Sequence, residues 1–264
     1  MRRSTLALCT VILALPLPLA AQRQVERDAF TWNGRIPSGR WIRVRNLSGE
    51  ITVTASSSDR VEVTATKHWR RSDPQTVRFE VRKSGRNDED VLICALWTDR
   101  TDCDDRGYES HNVRNNDVSV DFRVAVPRGV KIAVSSVNGA VSVEGATSEV
   151  EATTVNGEVE ATSSGGPVSA STVNGGVIAR MGRFDSDDDL TFSTVNGTVV
   201  AEFTGDLDAD VELSTVNGRF QTDYPVTVSG RLDPQHLRAR LGKGGRRIRL
   251  TTVNGNVELR RRGG

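Results

Sequence analysis

The chain has 264 residues, of which 36% are hydrophobic and 26% charged, a composition typical of a protein with a packed core. Lys and Arg number 35 and Asp and Glu 34, and this balance argues against a dedicated nucleic-acid-binding protein, which would carry a basic surplus. Glycine is frequent, with 24 residues, and aromatic residues make up 5%, which favours short strands and tight turns over helices.

Residues 1–21 have the three parts of a secretory signal peptide. Arg2 and Arg3 form its basic start, and an apolar run over 6–19 forms its middle. Ala20 and Ala21 precede the predicted cleavage point. The apolar run is too short for a spanning helix, and no later segment is apolar enough. The sequence therefore predicts an exported protein of the periplasm, cell surface or medium, with no membrane span after signal removal.

Two cysteines follow the predicted signal, Cys94 and Cys103, and they flank an Asp-rich loop over 98–105. Export places them in an oxidising compartment, where a disulfide is the expected state. The alternative, a redox or metal-binding pair, lacks the Cys-x-x-Cys spacing and a nearby His.

A pattern of Ser/Thr-Ser/Thr-Val-Asn-Gly occurs six times in the second half of the chain. The predicted repeat turns are Asn138, Gly139, Asn156, Gly157, Asn174, Gly175, Asn196, Gly197, Asn217, Gly218, Asn254 and Gly255. The intervals between successive Asn residues are 18, 18, 22, 21 and 37. We interpret the last interval as two periods with a degenerate copy over 219–249. A period near 20 residues is the signature of a stacked repeat architecture.

Apolar residues recur six and four positions before each Asn, and three and five positions after it. Period two on both sides of a turn predicts two half-buried strands per unit and an all-β fold. One arrangement is a β-solenoid, a parallel β-helix-like stack of two-strand repeats of 18–22 residues. The alternative is an antiparallel hairpin meander. Asn-Gly favours hairpins, whereas strict repetition favours the solenoid, because stacking places like residues above one another.

The alternation also predicts which face each motif residue occupies. The hydroxyl residue two positions before Asn faces inward, where stacked Thr and Asn ladders would supply the hydrogen bonds that buried polar groups need. The Val before each Asn faces outward, with a Ser or Thr two residues earlier. This Val stripe comprises Val137, Val155, Val173, Val195, Val216 and Val253. Either a second layer covers the stripe, or it is a docking surface.

Residues 22–130 are predicted to be an N-terminal β capping half with the disulfide loop. Residues 131–264 form the repeat half, continuous with the preceding part as one domain. The segment over 41–53 looks like a divergent opening unit. The capping half contains all four tryptophans, which either close the open end of a solenoid or stack on sugar rings: Trp32, Trp41, Trp69 and Trp97.

Catalytic and metal-binding motifs are not found. His68, His111 and His236 show no metal-ligand spacing, and the chain has no phosphate-binding loop and no nucleophile elbow. Two acidic clusters could hold Ca²⁺ or be solvated loops; they are Asp102, Asp104, Asp105 and Glu109, and Asp185, Asp187, Asp188 and Asp189. Five arginines form a basic C-terminal end, which is predicted to be a charged cap against end-to-end stacking or, alternatively, a surface that attracts anionic envelope polymers: Arg246, Arg247, Arg260, Arg261 and Arg262. We expect no catalytic residue, no metal site and no cofactor.

The signal peptide, the segment over 121–130 and the repeat units together resemble the bacterial putative-adhesin family. The segment reads Asp-Phe-Arg-Val-Ala-Val-Pro-Arg-Gly-Val, and the resemblance covers most of 30–260. It implies an envelope domain of unknown function with a β-solenoid fold, and it brings no catalytic residues.

The sequence thus predicts an exported, non-enzymatic β-solenoid that acts as an adhesin-like or cell-envelope scaffold and binding protein. Its partner would be an unknown envelope protein or glycan. One alternative is a glycan-active solenoid enzyme, a lyase or hydrolase. The other is a periplasmic regulatory or sensing domain.

Overall fold

A computed structural model describes residues 29–110, 113, 115–182, 188–228 and 235–263. The predicted signal peptide over 1–21 lies outside these ranges. The described chain is all-β, with two large mixed sheets, a small hairpin and two single-turn 3₁₀ helices at Pro74–Thr76 and Arg86–Asp88. No helix in the described ranges has the length and apolar character needed to cross a membrane.

Sheet A has ten strands. In spatial order they are β1 (Ala29–Gly34), β4 (Val61–His68), β9 (Ser119–Val126), β3 (Ile51–Ala55), β11 (Val141–Ala146), β13 (Val159–Ser163), β15 (Val177–Met181), β17 (Val199–Thr204), β23 (Val257–Arg262) and β19 (Phe220–Thr222).

Sheet B has eleven strands, and the hairpin has two. In spatial order sheet B contains β20 (Thr227–Val228), β21 (His236–Leu241), β18 (Ala209–Ser214), β22 (Arg247–Thr251), β16 (Leu190–Ser193), β14 (Val168–Ser171), β12 (Val150–Thr153), β10 (Lys131–Ser135), β2 (Trp41–Arg45), β6 (Asp90–Leu96) and β5 (Arg78–Ser84). The hairpin pairs β7 (Thr101–Cys103) with β8 (Tyr108–Ser110).

The two strands beside each motif turn lie in different sheets, and equivalent strands of successive units pair in parallel. Val168 of β14, for example, pairs with Val150 of β12, and Val177 of β15 pairs with Val159 of β13. Within the described residues no antiparallel pair joins two strands across a motif turn, so the hairpin meander is not adopted. The pairing is consistent with the stacked coils of a solenoid.

The backbone at the turns accounts for this choice. A two-residue Asn-Gly hairpin turn needs positive φ at both residues. Among the described non-glycine residues, positive φ occurs at Asn87, Asp88 and Asn115, none of which belongs to a repeat turn. The motif Asn therefore does not reverse the chain, and it leads the chain from one sheet to the other.

We call the two strands beside one such turn a rung, and we name each rung by the residue in the Asn position. Backbone bridges between these residues give the order of the rungs along the stack, which is Ser48, Asn138, Asn156, Asn174, Asn196, Asn254 and Asn217. The opening unit over 41–53 therefore stacks directly on the first strict repeat, with Ser48 in the place of Asn.

The expected degenerate copy over 219–249 is wrong. β22 pairs with both β16 and β18, and β23 pairs with both β17 and β19, so the Asn254 rung lies between the Asn196 and Asn217 rungs. The intervening chain supplies β19, β20 and β21, and β21 runs antiparallel to β18, with β20 beyond it at the edge of sheet B. The interval of 37 residues is long because the chain forms these three strands before the Asn254 rung begins.

The predicted arginine cap is also corrected, because β23 is not the end strand of sheet A: β19 follows it and pairs with its residues 257–259. Arg260, Arg261 and Arg262 extend beyond β19 and pair with β17 alone. The C-terminal end is closed instead by β21 and by Tyr224, which is 5% exposed. The Tyr224 hydroxyl lies 3.2 Å from the carbonyl oxygen of Phe203 and 3.1 Å from that of Gly205.

Aromatic side chains and antiparallel strands close the opposite end of the stack. β4 and β1 continue sheet A antiparallel beyond β9, and β5 continues sheet B antiparallel beyond β6. Phe30 stacks on Phe79 at 4.6 Å between ring centroids, and Phe79 meets Phe122 edge-on at 6.0 Å. The Trp97 indole donates to the Val118 carbonyl at 3.1 Å. These aromatics cover the core where the rungs end.

The core is one continuous buried cluster between the two sheets, from Ile36 to Leu259. Each rung contributes the alternating apolar residues of both strands; in the Asn156 rung these are Val150, Ala152, Val159 and Ala161, all fully buried. Burying one Val side chain stabilises the fold by about 1.5–3 kcal/mol, so thin rungs add stability in regular increments.

The disulfide between Cys94 and Cys103 is confirmed. It joins β6 to β7 and holds the β7–β8 hairpin over the outer face of sheet B. There Leu92 and Leu96 form a second small buried cluster with the two cysteines and Tyr108. The Tyr108 hydroxyl donates to the Ala95 carbonyl at 2.8 Å, and burial raises the pKa of Tyr108.

Adjacent glycines in the Asn174 rung offer a matched test of the stacking. Gly175 has φ of +153°, and a Cβ there would lie 2.0 Å from the Gly157 carbonyl oxygen. At Gly176 the nearest atom, the Thr198 carbonyl oxygen, would be 3.5 Å away. We expect Gly175→Ala to lower the free energy of unfolding by about 2 kcal/mol or more, because backbone atoms must shift. Gly176→Ala should change it by roughly 0.5 kcal/mol at most. Urea unfolding measures both, and equal effects would contradict this account.

The disulfide gives a second prediction. The bond closes a loop of nine residues' separation, so replacing both cysteines by Ser should cost about 2–3 kcal/mol of unfolding free energy on the chain-entropy estimate. Wild-type protein under reducing conditions should match the double variant in urea unfolding. A variant as stable as the oxidised wild type would show that the loop is held by other contacts.

Candidate functional site: an uncharged strip along the stack

Three rows of motif residues run side by side along the edge where each strand of sheet B enters its turn. We call them together the uncharged strip. The hydroxyl row comprises Ser135, Thr153, Ser171, Ser193, Thr251 and Ser214. The Val row is the Val stripe, and the amide row comprises Asn138, Asn156, Asn174, Asn196, Asn254 and Asn217.

The residue between the hydroxyl and Val rows points inward and fixes the backbone of the strip. Thr172 is 5% exposed, and its hydroxyl donates to the Gly157 carbonyl of the preceding rung at 2.9 Å. Thr154 donates to Gly139 in the same way, also at 2.9 Å. The inward orientation is as predicted. The hydroxyls, however, satisfy backbone carbonyls of the neighbouring rung and do not bond to one another.

The predicted Asn ladder is present, and it lies on the surface. From Asn156 onward, each side-chain amide in the row donates to the side-chain oxygen of the preceding Asn at 2.8 Å, as Asn174 does to Asn156 and Asn196 does to Asn174. The backbone follows the same register, since the Gly157 amide donates to the Asn174 carbonyl at 2.9 Å. The amide row is thereby held at the strand spacing along its whole length.

The Val row is open to solvent. Val155, Val173, Val195 and Val253 are 38–39% exposed and Val216 is 53% exposed, whereas Val137 is half-buried. The alternative in which a second layer covers the stripe is therefore wrong for the described chain. Large side chains of this apolar type are usually buried, so a regular row of them at the surface calls for an explanation.

The strip extends one rung further than the motif indicated, to Leu47 and Ser48. Gly49 in the turn and the buried Ile51 and Val53 after it are the signals in the sequence that place these residues in register. Seven rungs at a strand spacing of about 4.8 Å give a strip roughly 30 Å long.

Arg45 ends the hydroxyl row. It is 8% exposed and donates to the Ser135 hydroxyl at 3.2 Å and to the Asp105 carbonyl at 3.0 Å. Burial, followed by the neighbouring Arg43, lowers the pKa of Arg45. Apart from this residue the three rows carry no charge, in a chain that is 26% charged. The strip offers methyl groups, hydroxyls and amides at a fixed spacing, a surface suited to contact by shape and hydrogen bonding.

The other candidate residues from the sequence are not brought together. His68 lies in β4 and His236 in β21, at opposite ends of the stack, and His111 is outside the described residues. Asp104 accepts from the Arg106 and Gly107 amides at 2.8 and 2.9 Å, and these bonds lower its pKa.

Of the second acidic cluster, Asp185 and Asp187 lie outside the described residues, and Asp189 accepts from the Arg247 amide at 3.2 Å. In the described part of the chain no three His, Cys, Asp or Glu residues group closely enough to hold a metal ion.

Comparison with known proteins gives a likeness of structure. No protein-family model and no curated protein matches the chain. The crystal structure of a putative cell adhesion protein from Clostridium sporogenes is 8% identical, with a TM-score of 0.51 over 89% of this chain and 100% of that one. The two chains share a fold. A putative adhesin from Bacteroides fragilis is 12% identical, with a TM-score of 0.31 over 89% of this chain and 98% of that one.

The amide ladder can be tested at two of its positions. Asn174→Asp removes the amide that donates to Asn156 at 2.8 Å and leaves two oxygens facing each other. We expect a loss of about 1 kcal/mol in unfolding free energy. Asn138→Asp removes only a 3.4 Å contact to the Leu47 carbonyl and keeps the oxygen that accepts from Asn156. It should be nearly neutral in the same denaturation experiment. A larger loss at 138 than at 174 would contradict the ladder.

Proposed function

We propose that this protein is an exported, non-enzymatic β-solenoid that acts as an adhesin-like or cell-envelope binding scaffold, with the uncharged strip as its docking face. The signal-like segment over 1–21 and the disulfide support export, because disulfides persist in oxidising compartments. Parallel pairing of equivalent strands supports the solenoid assignment.

The observation that carries the proposal is the exposed Val row. Contiguous apolar surface on a soluble protein commonly marks a contact site, and here it lies between two uncharged polar rows that are held rigidly by the ladder and the turns. The fold is shared with a protein described as a putative cell adhesion protein. We extend that role to this chain as part of the proposal.

The absence of catalysis belongs to the proposal and has its own test. Purified protein is incubated with acidic and neutral polysaccharides, and new reducing ends and unsaturated uronate absorbance are followed. We expect no turnover. Sustained product formation that scales with protein concentration would replace the scaffold by a glycan-active enzyme.

The docking face is tested by placing charge on neighbouring rungs. Val173→Lys with Val195→Lys should abolish binding of labelled protein to envelopes isolated from the source cells, because two exposed methyl pairs become cations within the strip. Both positions are solvent-exposed, so the variant should unfold within roughly 1 kcal/mol of wild type.

Thr52→Lys with Ser142→Lys is the matched control. These residues are paired neighbours on the outer face of sheet A, away from the strip. The control adds the same charge and should bind like wild type. Unchanged binding by the folded Val173/Val195 variant would refute the docking role of the strip.

A further inference from the structure

A groove of about 460 Å³ lies on sheet B near the C-terminal end of the stack, across β18, β21 and β22. Val211 and Ala239 contribute to its lining, and six charged side chains complete it: Arg238, Arg240, Arg247, Arg249, Asp210 and Glu212. Four guanidinium groups face two carboxylates, so the lining carries a surplus of two positive charges. Sequence analysis named Arg247 in a basic group that could attract anionic polymers, but it missed the groove, because the groove depends on the pairing of the antiparallel strand β21.

Strand pairing places a cation on each side of each carboxylate. Asp210 pairs with Arg240 of β21 and with Arg247 of β22. Two residues further along β18, Glu212 pairs with Arg238 of β21 and with Arg249 of β22. The arginines therefore form two short rows that flank the central strand, which is an arrangement suited to an anion laid across the sheet.

The two carboxylates are ionised and count fully in this balance. A hydrogen bond from Arg240 and then one from the Gly245 amide lower the pKa of Asp210. Burial raises the pKa of Glu212, but hydrogen bonds from Arg249 and Arg238 outweigh burial and lower it overall. The lining thus keeps two more positive than negative groups at neutral pH, and Asp189, which lies outside the lining, has its carboxylate 3.9 Å from the Arg247 guanidinium.

The carboxylates engage few of the available guanidinium donors. Arg240 uses Nε toward Asp210 at 3.1 Å, and Arg238 uses Nη2 toward Glu212 at 3.3 Å. Arg249 uses Nε and Nη2, at 3.1 and 2.9 Å. Each guanidinium has five N–H donors in a planar fork that matches an oxyanion. The four side chains are 48–71% exposed, so a ligand can reach them.

The groove continues into the hydroxyl row on the same sheet face. Ser214 lies two residues beyond Glu212 in β18, and Thr251 lies two residues beyond Arg249 in β22. An anionic group in the groove would therefore be attached to a chain that passes over hydroxyls. We infer that the groove binds the carboxylate or sulfate groups of an acidic glycan. The choice of a glycan rests on the proposed binding function, whereas the anion site rests on the groove alone.

The test measures binding of purified full-length mature protein by calorimetry at low salt. The probes are polygalacturonate, chondroitin sulfate, neutral dextran and phosphatidylglycerol vesicles. We expect binding to at least one of the two acidic glycans, none to dextran, and weakening as salt is raised, because the contacts are charge-assisted and exposed.

Arg238→Gln with Arg240→Gln should weaken acidic-glycan binding at least about tenfold. Arg128→Gln with Arg219→Gln is the matched control. Both residues are exposed and lie outside the groove, and the two substitutions remove the same charge. The control should bind within about twofold of wild type. If the first variant does not fold, Arg247→Gln with Arg249→Gln replaces it.

Three outcomes would overturn the inference. They are wild-type protein that binds neither acidic glycan, equal weakening in the groove variant and its control, and binding to vesicles alone. The docking role of the uncharged strip is tested separately, by the binding of the Val173/Val195 variant to envelopes. The two proposals are therefore tested with different variants and different ligands.

Discussion

Contact between turn glycines in successive rungs is the interaction on which the stack depends. The Gly157 carbonyl accepts the buried Thr172 hydroxyl at 2.9 Å and lies where a Cβ on Gly175 would be 2.0 Å away. Each turn joins one strand of sheet A to one of sheet B, so a side chain at this point would separate rungs in both sheets at once. The inward hydroxyl, the Asn and the Gly of the motif are thus parts of one contact, which explains why they recur together.

A stack of parallel rungs leaves two open ends, where unpaired backbone groups and apolar core would meet solvent. The chain extends sheet A by antiparallel β4 and β1 beyond β9 at one end, and sheet B by antiparallel β21 and β20 beyond β18 at the other, where sheet A ends at the parallel strand β19. The last rung in sequence, Asn254, lies inside the stack and pairs on both sides. An internal segment of the chain, containing β18 and β19, therefore holds the outer position, and the Asn254 rung has a partner in both directions along the stack.

The rung itself was predictable from sequence because its determinants are local. Alternating burial around Val150 and Val159 and the inward Thr154 follow from period two. The two cysteines that follow the predicted signal peptide leave one pairing. The order of the rungs was not predictable, since Val257 and Leu259 fit any neighbour with the same apolar pattern. The exposure of Val173 and the formation of the arginine groove depend on long-range packing. The first depends on whether another layer covers sheet B, and the second depends on where β21 pairs.

The two proposed binding surfaces are built on the same stacked backbone. They differ in the side chains that successive rungs contribute to each row. In the Val and amide rows every rung contributes an uncharged group, so contact energy would accumulate in small, equal and salt-insensitive steps along the stack. At the C-terminal end Arg249 and Glu212 occupy a neighbouring row, and β21 adds two further arginines, which makes that end sensitive to salt. A rigid array of weak equal contacts favours a repetitive partner, because each further engaged rung binds at high effective concentration once the first is held. The charged groove would then fix where along the array such a partner begins.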